Sequence, residues 1–597
     1  MTSGILSHLN PSQQEAVIFD KGPLLVLAGP GSGKTRVLTY KTAWLIEKGM
    51  SPEDILLLTF TNKAAEEMKK RIQKLTGKVP PLSGTFHSFC ARVLRREGRA
   101  IGIPPSFLIY DEEDQRETIK TAIKEIDVSP HSFKPSMVLN LISQAKNELI
   151  SALEYPNYAQ GSFQITVARI YLTYQRLLKE YNALDFDDLL LETVKLFQKE
   201  PKILEKYQQQ FEYILIDEYQ DTNQAQYALT QLLARKKRKL CVVGDASQAI
   251  YGFRGANYRN LLNLKNDFPE LKVINLEQNY RSTQIILDAA WEVIKKNTSH
   301  PVLKMKTNKT QGQPVFVFCA KNQEEEALFV LKKITEMSRP YKDFAVLYRT
   351  NAQSRVVEEV FLRAGIPYIL VGGIRFYERK EIKDCLSYLR LIANPDDKVS
   401  LKRVEKLGKN RFKKFKELRK KIIKDKSLST LEILDKVLKA TDYLKRFDPK
   451  DNEDSARLEN IKELRSVASL FPKLEDFLEN VALLTAEYLP ANSGKAVGEF
   501  EAVTLMTAHA AKGTEFSVVF MIGMEEGLFP HLKSLTDKES IEEERRLCYV
   551  GMTRAKEELY LTYAQRRLYF GQNLVNQPSR FILDIPPYLC KDLTNDY

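Results

Sequence analysis

The sequence feature that most constrains the fold is a glycine-rich loop directly after a short apolar run. The run is Leu24–Leu27, and the loop reads Ala28-Gly29-Pro30-Gly31-Ser32-Gly33-Lys34-Thr35. Small residues allow successive backbone N–H groups to face a phosphate at the N-terminus of the next helix. The pattern therefore predicts a buried strand, a phosphate-binding loop and a helix, with Lys34 reaching the β- and γ-phosphates and Thr35 binding Mg²⁺.

An acidic pair supports this interpretation of the loop. Asp217 and Glu218 end a second apolar run, Tyr213–Ile216. A phosphate loop alone has many chance matches, whereas a loop paired with an acidic doublet after a buried strand is typical of ATP or GTP sites. The two motifs together predict a nucleotide hydrolase.

Length and charge limit the remaining possibilities. The chain has 597 residues, which predicts about four domains. Its formal charge of +13 favours a polyanionic partner. The six scattered cysteines show no metal-ligand spacing, and no apolar run is long enough to span a bilayer. We therefore expect a cytoplasmic protein without a zinc or iron–sulfur site and without a membrane partner.

Further short apolar runs alternate with stretches of helical periodicity, which is typical of buried parallel strands in α/β layers. The runs form two sets, one around the loop and the acidic pair and one after Asn279. We therefore expect two parallel-sheet domains that meet in a cleft. The predicted strands are Leu24–Leu27, Ile55–Leu58, Tyr213–Ile216, Leu240–Val243, Val315–Phe318, Phe344–Leu347, Val503–Met506 and Val518–Ile522.

A long helical stretch interrupts each set of strands. The second interruption opens with a dense run of basic residues between Lys402 and Lys421. Such a run is either the solvated face of a helix or a contact surface for nucleic acid. The sequence supports both interpretations equally.

A series of further motifs makes the resemblance to a known family specific. In chain order they are Leu9–Val17, Thr59–Ala65, Gly84–Ser88, Leu184–Leu189, Val243–Gly255, Gln278–Ser282, Tyr348–Arg355, Thr507–Phe516 and Tyr549–Ala555. With the phosphate loop and the acidic pair, the series closely resembles the UvrD/PcrA/Rep family of superfamily-one (SF1A) DNA helicases. The resemblance extends over nearly the whole chain.

The resemblance implies an α/β fold with two RecA-like parallel-sheet motor domains, each interrupted by a mainly helical inserted subdomain. The second insertion is shorter here than is common in the family. The expected ranges are 1–110 and 184–277 for the first motor domain, 111–183 for its insertion, 278–396 and 497–597 for the second motor domain, and 397–496 for the second insertion.

The resemblance also implies catalytic roles around ATP and Mg²⁺. Asp217 would bind Mg²⁺ together with Thr35, while Glu218 would orient and deprotonate the attacking water. Arg281 and Arg554 resemble the two arginine fingers of the family, a type of group that contributes about 10³ to 10⁵ in rate. The expected catalytic set is Lys34, Glu218, Gln248, Arg281 and Arg554.

Other residues resemble those that select ATP. Gln248 resembles the γ-phosphate sensor and Gln13 the residue that reads adenine. Tyr280 would stack on the base, and Glu515 would contact the ribose. The expected nucleotide contacts are Gln13, Ala28, Gly29, Pro30, Gly31, Ser32, Gly33, Lys34, Thr35, Arg36, Tyr280 and Glu515.

A single-stranded DNA track is implied by aromatic and polar residues in the same motifs. Aromatic faces stack on any base, so the track is not expected to read sequence. Phe253 stands where the family most often has Trp. The expected DNA contacts are Phe60, Thr61, His87, Phe186, Tyr251, Phe253, Arg254, Arg349, Asn351 and His509.

The function implied by the resemblance is an ATP-dependent 3′-to-5′ single-stranded DNA translocase and helicase in DNA repair or replication. Its expected partners are single-stranded DNA, 3′-tailed duplex DNA and repair or replication proteins in the nucleoid. Three alternatives remain: a translocase that clears proteins from DNA with little unwinding, a DNA-binding scaffold with an inactive nucleotide site, and a motor on RNA. The intact catalytic set argues against the scaffold.

Overall fold

The computed structural model describes residues 4–129, 132–425, 427–486, 501–569 and 572–595. Two compact units divide the chain. Unit 1 covers Met1–Tyr280 and Thr298–Asn308, and unit 2 covers Arg281–Asn297 and Lys309–Tyr597. The predicted domain boundary between 496 and 497 and the two chain ends lie outside the described residues.

Unit 1 is built on a parallel six-stranded sheet in the order β3-β2-β6-β7-β1-β8. Two short pairs, β4 with β5 and β9 with β10, lie outside this sheet. The strands are β1 (Leu24–Ala28), β2 (Ile55–Thr59), β3 (Leu82–Thr85), β4 (Leu108–Tyr110), β5 (Ala183–Asp185), β6 (Tyr213–Ile216), β7 (Leu240–Gly244), β8 (Lys272–Leu276), β9 (Gln278–Asn279) and β10 (Lys306–Thr307).

The central strands of this sheet are buried on both faces. In β1, Leu25 lies in one hydrophobic core, while Leu24 and Val26 lie in the other. In β2, Leu56 and Leu57 alternate between the same two cores. Alternate side chains of a strand point to opposite faces, so a continuous apolar run is the pattern that a sheet covered on both faces requires.

The helices of unit 1 cover the sheet and form its insertion. Between β4 and β5, α5, α6 and α7 form a separate hydrophobic core that includes Ile119, Ile142 and Tyr171. The helices are α1 (Pro11–Ile18), α2 (Lys34–Glu47), α3 (Asn62–Thr76), α4 (Phe86–Glu97), α5 (Glu112–Glu125), α6 (Pro135–Asn147), α7 (Gly161–Glu180), α8 (Phe186–Lys199), α9 (Pro201–Gln210), α10 (Gln224–Ala234) and α11 (Arg259–Asp267).

Unit 2 contains a second parallel sheet, of seven strands, in the order β13-β14-β12-β15-β16-β11-β19. A short antiparallel hairpin, β17 with β18, lies outside it. The strands are β11 (Val315–Ala320), β12 (Phe344–Tyr348), β13 (Tyr368–Val371), β14 (Val503–Thr507), β15 (Phe516–Met521), β16 (Ala555–Ala564), β17 (Arg567–Tyr569), β18 (Gln572–Leu574) and β19 (Cys590–Asp592).

A helical stretch also interrupts unit 2, between β13 and β14. One hydrophobic core joins α15 to the helices that follow it, through residues such as Leu389, Phe415 and Leu464. The predicted α/β class, with two parallel sheets that are each interrupted by helices, is confirmed. The helices of unit 2 are α12 (Gln284–Ile294), α13 (Gln323–Glu336), α14 (Ser354–Arg363), α15 (Lys380–Ala393), α16 (Lys398–Lys406), α17 (Lys409–Ile422), α18 (Thr430–Ala440), α19 (Asn452–Leu470), α20 (Leu474–Ala486), α21 (Lys538–Met552) and α22 (Arg580–Leu583).

The basic run of the second insertion forms α16 and α17. Two of its cations bind carboxylates, Arg403 at 2.6 Å from Asp384 and Lys414 at 2.7 Å from Asp442. The exposed lysines include Lys402, Lys406, Lys409, Lys413, Lys416, Lys420 and Lys421. A charged surface of this kind fits both sequence interpretations, so both remain open.

No helix in the described ranges is both long enough and apolar enough to cross a membrane.

A buried ion cluster anchors the β17–β18 hairpin to unit 2. Arg567 lies 2.5 Å from Glu326 and 2.6 Å from Glu525, and all three side chains are at most 7% exposed. Glu326 also accepts hydrogen bonds from the Gly523 N–H at 2.8 Å and the Thr562 hydroxyl at 2.7 Å. Both carboxylates therefore depend on Arg567 for a compensating charge.

Replacing Arg567 by Met should destabilise unit 2 by about 3–5 kcal/mol, because two buried carboxylates lose their only cation within ion-pair distance in the described residues. Equilibrium urea unfolding followed by circular dichroism measures the change. The matched control is Arg566→Met at the exposed neighbouring position, which should stay within about 0.5 kcal/mol of wild type. Equal stability of the two variants would contradict the prediction.

Candidate nucleotide and nucleic-acid sites

The loop between β1 and α2 has the backbone of a phosphate-binding turn. Gly31 and Gly33 have φ angles of +66° and +87°, a conformation that side-chain-bearing residues rarely adopt. The Lys34 ammonium is buried and has no hydrogen-bond partner in the described part of the chain. A buried ammonium without such a partner is costly, so the site is suited to an anion. Gly29, Pro30 and Ser32 lie in the same turn, Ala28 is the last residue of β1, and the exposed Arg36 follows in α2.

The acidic pair lies at the end of β6, next to this loop. The Thr35 hydroxyl donates to Asp217 Oδ2 at 3.2 Å, and the Glu218 N–H donates to Asp217 Oδ1 at 3.0 Å. Burial raises the pKa of Asp217 to about 7, and the neighbouring Glu218 charge adds to the effect. A hydroxyl and a buried carboxylate in contact form a donor set that suits a hard divalent cation.

Gln220, which the sequence analysis did not select, links Glu218 to a neighbouring loop. Its Nε2 donates to the Glu218 carboxylate, and its Oε1 accepts from the Asp245 N–H at 3.0 Å. Gln248 in turn donates to Asp245 Oδ2 at 2.5 Å. The buried amide of Gln220 therefore connects the expected base to the expected phosphate sensor. In the sequence, the only indication of this role is that Gln220 follows the acidic pair by two residues.

Gln13 and Tyr280 both lie against the phosphate loop. Gln13 is buried, donates from Nε2 to the Ser32 carbonyl at 2.9 Å and accepts from the Asn10 N–H at 3.2 Å. Tyr280 donates its N–H to the Gly31 carbonyl at 2.9 Å and remains 49% exposed. In this arrangement the Gln13 amide binds the protein's own loop, whereas the Tyr280 ring is accessible.

In unit 2, Arg281 and Arg554 meet at Thr553. Arg281 donates to the Thr553 carbonyl at 3.1 Å, and Arg554 donates to the Thr553 hydroxyl at 3.1 Å. Arg281 also binds Glu515 at 2.8 Å, and Lys556 lies 2.9 Å from the same carboxylate. Partial burial raises the pKa of Glu515, but the bond from Lys556 and the charge of Arg281 outweigh it and lower the pKa to about 2.

Arg554 is almost fully buried in unit 2. Its Nε donates to the Val550 carbonyl at 2.9 Å, and its Nη1 donates to the Thr514 carbonyl at 3.3 Å. The guanidinium thus binds neutral oxygens of its own unit. These bonds hold the guanidinium at a fixed position.

Three predicted DNA-contacting aromatic residues form a row in unit 1. Phe60 stacks on Tyr251 with ring centroids 5.6 Å apart and planes 12° apart. The ring centroids of Phe253 and Tyr251 lie 6.2 Å apart, and Phe253 is 51% exposed. The Arg254 guanidinium lies over the Phe253 ring, 5.4 Å from its centroid. Thr61, next to Phe60, caps α3 by accepting from the Ala64 N–H. The row thus places the exposed Phe253 ring beside a cation, with Phe60 and Tyr251 half-buried, and an aromatic face beside a cation is the combination that single-stranded nucleic acid requires.

Phe186 and His87 form a second aromatic contact in unit 1. Their ring centroids lie 5.9 Å apart, with planes at 76°. Phe186 is 48% exposed and is the first residue of α8. Burial lowers the pKa of His87, which favours a neutral imidazole at pH 7.

Arg349, a predicted DNA contact of unit 2, binds Glu544, a second residue that the sequence analysis missed. Arg349 binds Glu544 through Nη2 at 2.6 Å and Nε at 3.0 Å. Burial raises the pKa of Glu544, but the charge and hydrogen bonds of Arg349 outweigh it, and His509 adds to the lowering. The Asn351 carbonyl accepts from Arg379 at 3.1 Å. No signal in the sequence pointed to Glu544, which lies in α21 outside every motif.

The fold and these contacts define a P-loop nucleotide hydrolase with exposed aromatic residues on the same unit as its phosphate loop. A family model for the UvrD/REP helicase N-terminal domain matches residues 9–269. A model for the UvrD-like helicase C-terminal domain matches residues 274–436 and 405–566.

Curated relatives agree with these matches. The ATP-dependent DNA helicase PcrA of Staphylococcus aureus strain Mu50 is 44% identical over 647 residues, covering 99% of this chain and 88% of the relative. The protein of the same name from Bacillus subtilis strain 168 is 44% identical over 650 residues, with the same coverage. The chain belongs to the UvrD/REP helicase family.

Replacing Lys34 by Met should abolish ATP binding without lowering the thermal unfolding temperature, because the buried ammonium has no hydrogen-bond partner to lose in the described residues. Calorimetric titration with ATP and a thermal melt measure the two effects. Lys48→Met, at the exposed end of the same helix, is the matched control and should bind ATP normally. ATP binding retained by Lys34→Met would exclude this loop as the phosphate site.

Proposed function

We propose that this chain is an ATP-dependent DNA helicase that moves 3′ to 5′ along single-stranded DNA and acts in DNA repair or replication. The single observation that most supports the proposal is that one unit contains both a phosphate loop, whose buried Lys34 ammonium has no hydrogen-bond partner among the described residues, and an aromatic row that ends in the exposed Phe253. The relatives named as ATP-dependent DNA helicases support the same activity. The polarity and the pathway rest on the family resemblance.

In this proposal, hydrolysis depends on charges that the chain holds in place. Lys34 binds the β- and γ-phosphate oxygens, and Glu218 accepts the proton of the attacking water. Gln220 holds the Glu218 carboxylate in position. Thr35 and Asp217 would hold Mg²⁺, which when bound neutralises charge on the phosphates.

Arg281 and Arg554 are proposed as arginine fingers, and Gln248 as the γ-phosphate sensor. Both guanidinium groups are preorganised around Thr553, so little conformational entropy would be lost when they bind a phosphoryl group. Tyr280 would stack on adenine, and Glu515 would contact the ribose. Gln13 would give up its hydrogen bond to the Ser32 carbonyl and bind the edge of the adenine ring instead.

DNA binding in this proposal combines stacking with phosphate contacts. Phe60, Tyr251, Phe253 and Phe186 offer aromatic faces, which tolerate any base. The other proposed contacts are Thr61, His87, Arg254, Arg349, Asn351 and His509. The proposed substrates are single-stranded DNA and 3′-tailed duplex DNA.

Strand separation on two duplexes of identical sequence, one with a 3′ tail and one with a 5′ tail, tests the helicase and its polarity together. We expect ATP-dependent separation of the 3′-tailed duplex only. Glu218→Gln, which keeps the size of the side chain but cannot accept the proton, should lower ATP hydrolysis by about 10² to 10⁴-fold and abolish separation.

The other outcomes of this experiment are equally distinct. Separation of the 5′-tailed duplex alone would overturn the polarity. If neither duplex separates while single strands still stimulate hydrolysis, the protein is a translocase without efficient unwinding. Stronger stimulation by RNA than by DNA would identify an RNA motor.

Binding to single-stranded DNA should weaken steeply with salt, because each neutralised phosphate releases counterions. With about five phosphate contacts, the dissociation constant for oligo(dT) should rise roughly 100-fold between 50 and 200 mM salt. Fluorescence anisotropy measures it. Arg254→Ala should reduce the slope of this dependence, whereas Arg235→Ala on an exposed turn should not. An affinity independent of salt would contradict the proposed track.

A further inference from the structure

The last turn of α6, in the insertion of unit 1, contains a buried lysine that the proposed chemistry does not use. The Lys146 ammonium lies 2.6 Å from Asp185 Oδ2 and 2.7 Å from Asp188 Oδ1, and all three side chains are at most 2% exposed. The Tyr174 hydroxyl also donates to Asp185 at 2.9 Å. Burial lowers the pKa of Lys146, but the two carboxylates outweigh it and raise the pKa above its usual value. A buried cation held this closely fixes the position of its partners.

Those partners form the N-terminus of α8, on which Phe186 lies. The Asp188 N–H donates to Asp185 Oδ1 at 2.8 Å, and the Asp185 N–H donates to Asp188 Oδ2 at 3.2 Å. This reciprocal pair is a capping box, and Phe186 is the first helical residue after the cap. The charge of Lys146 thereby positions the exposed ring of Phe186.

The next residue, Asn147, contacts the segment that follows the acidic pair. Its Oδ1 accepts from Asn223 Nδ2. Asn223 caps α10 by accepting from the Gln226 N–H at 2.9 Å. The turn before Asn223 starts at the acidic pair, where the Asp221 N–H donates to the Glu218 carbonyl at 2.9 Å. Asn147 is therefore bonded directly to the helix cap that follows the turn after Glu218.

Asn147 also packs against the turn that follows Phe253. A Cβ atom placed on Gly255 would lie 3.6 Å from Asn147 Cβ, an ordinary van der Waals distance, so the two segments are direct neighbours. Gly255 follows Arg254 directly and closes the short helical turn of Phe253. Two adjacent residues of α6 thus contact the segments that bear Phe186, Phe253 and Glu218.

We propose that Lys146 and Asn147 are positioning residues. They couple the acidic pair, Asp217 and Glu218, to the proposed DNA-contacting rings of Phe186 and Phe253 within unit 1. This inference rests on the proposed function, since it concerns hydrolysis stimulated by single-stranded DNA. The rest of α6 is packed in the insertion core through Val138 and Ile142. A packed helix moves as one body, so a shift of the turn after Glu218 is transmitted to the cap of α8.

A double-mutant cycle in the full chain measures this coupling. Asn147→Ala removes the acceptor, and Asn223→Ser removes the donor while keeping a residue that caps helices. We expect each variant to lose about ten-fold in the hydrolysis rate at saturating oligo(dT). The double variant should lose about ten-fold as well, rather than the hundred-fold of independent effects. Asn140→Ala, exposed on the same helix, is the matched control and should behave as wild type.

Measurements made without DNA distinguish a positioning role of Asn147 from a general loss of folded structure. Asn147→Ala should keep its unstimulated hydrolysis rate and its KM for ATP within about two-fold of wild type. A parallel loss of unstimulated hydrolysis and of thermal stability would overturn the inference, because it would indicate a structural role only. Lys146→Met leaves two buried carboxylates unpaired and risks misfolding, so the cycle does not depend on it.

The outcomes also distinguish this inference from the proposed function. If single strands do not stimulate hydrolysis by the wild type, the proposed function fails and the inference fails with it. If the wild type is stimulated and Asn147→Ala is stimulated equally, only the inference is overturned. Multiplicative losses in the double variant would also overturn it.

Discussion

The structure depends on the burial of two parallel sheets on both faces. Because neighbouring strands run in the same direction, their carboxyl ends all reach one edge of the sheet. In unit 1, the segments after β1, β2, β6 and β7 are the phosphate loop, the Phe60 segment, the acidic pair and the Asp245 turn. The backbone geometry therefore brings phosphate chemistry and aromatic surface together, although these segments are far apart in sequence.

The buried lysines and arginines of this chain differ in what they bind. Lys146 and Arg567 are matched by carboxylates within hydrogen-bond distance and stabilise one arrangement of an insertion or a hairpin. Lys34 has no hydrogen-bond partner in the described residues. Leaving a buried ammonium without hydrogen bonds costs stability, and a phosphate-binding loop tolerates this cost because its ligand accepts those hydrogen bonds. Lys34 thus differs in its pairing from Lys146 and Arg567.

The strands that the sequence predicted lie inside the two large sheets, although the inner strand β16 was not predicted. Val26 and Val346 lie in continuous apolar runs, since both faces of their strands are covered. The strands that were not predicted are mostly at sheet edges, such as β3, β8, β13 and β19. In β8, for example, Lys272, Val273 and Asn275 are exposed. An edge strand needs fewer apolar residues, so periodicity alone does not reveal it.

The sequence by itself determined the fold class, the phosphate loop, the acidic pair and the family, because these depend on local residue types and on the order of short motifs. Only the tertiary structure decided which side chains support them. Gln220 reaches Asp245, Arg349 reaches Glu544, and Lys146 reaches Asp185 across long separations in the chain. Such pairings depend on where the backbone places each side chain and on the requirement that buried polar groups be satisfied. No pattern of residue types along the chain specifies those distances.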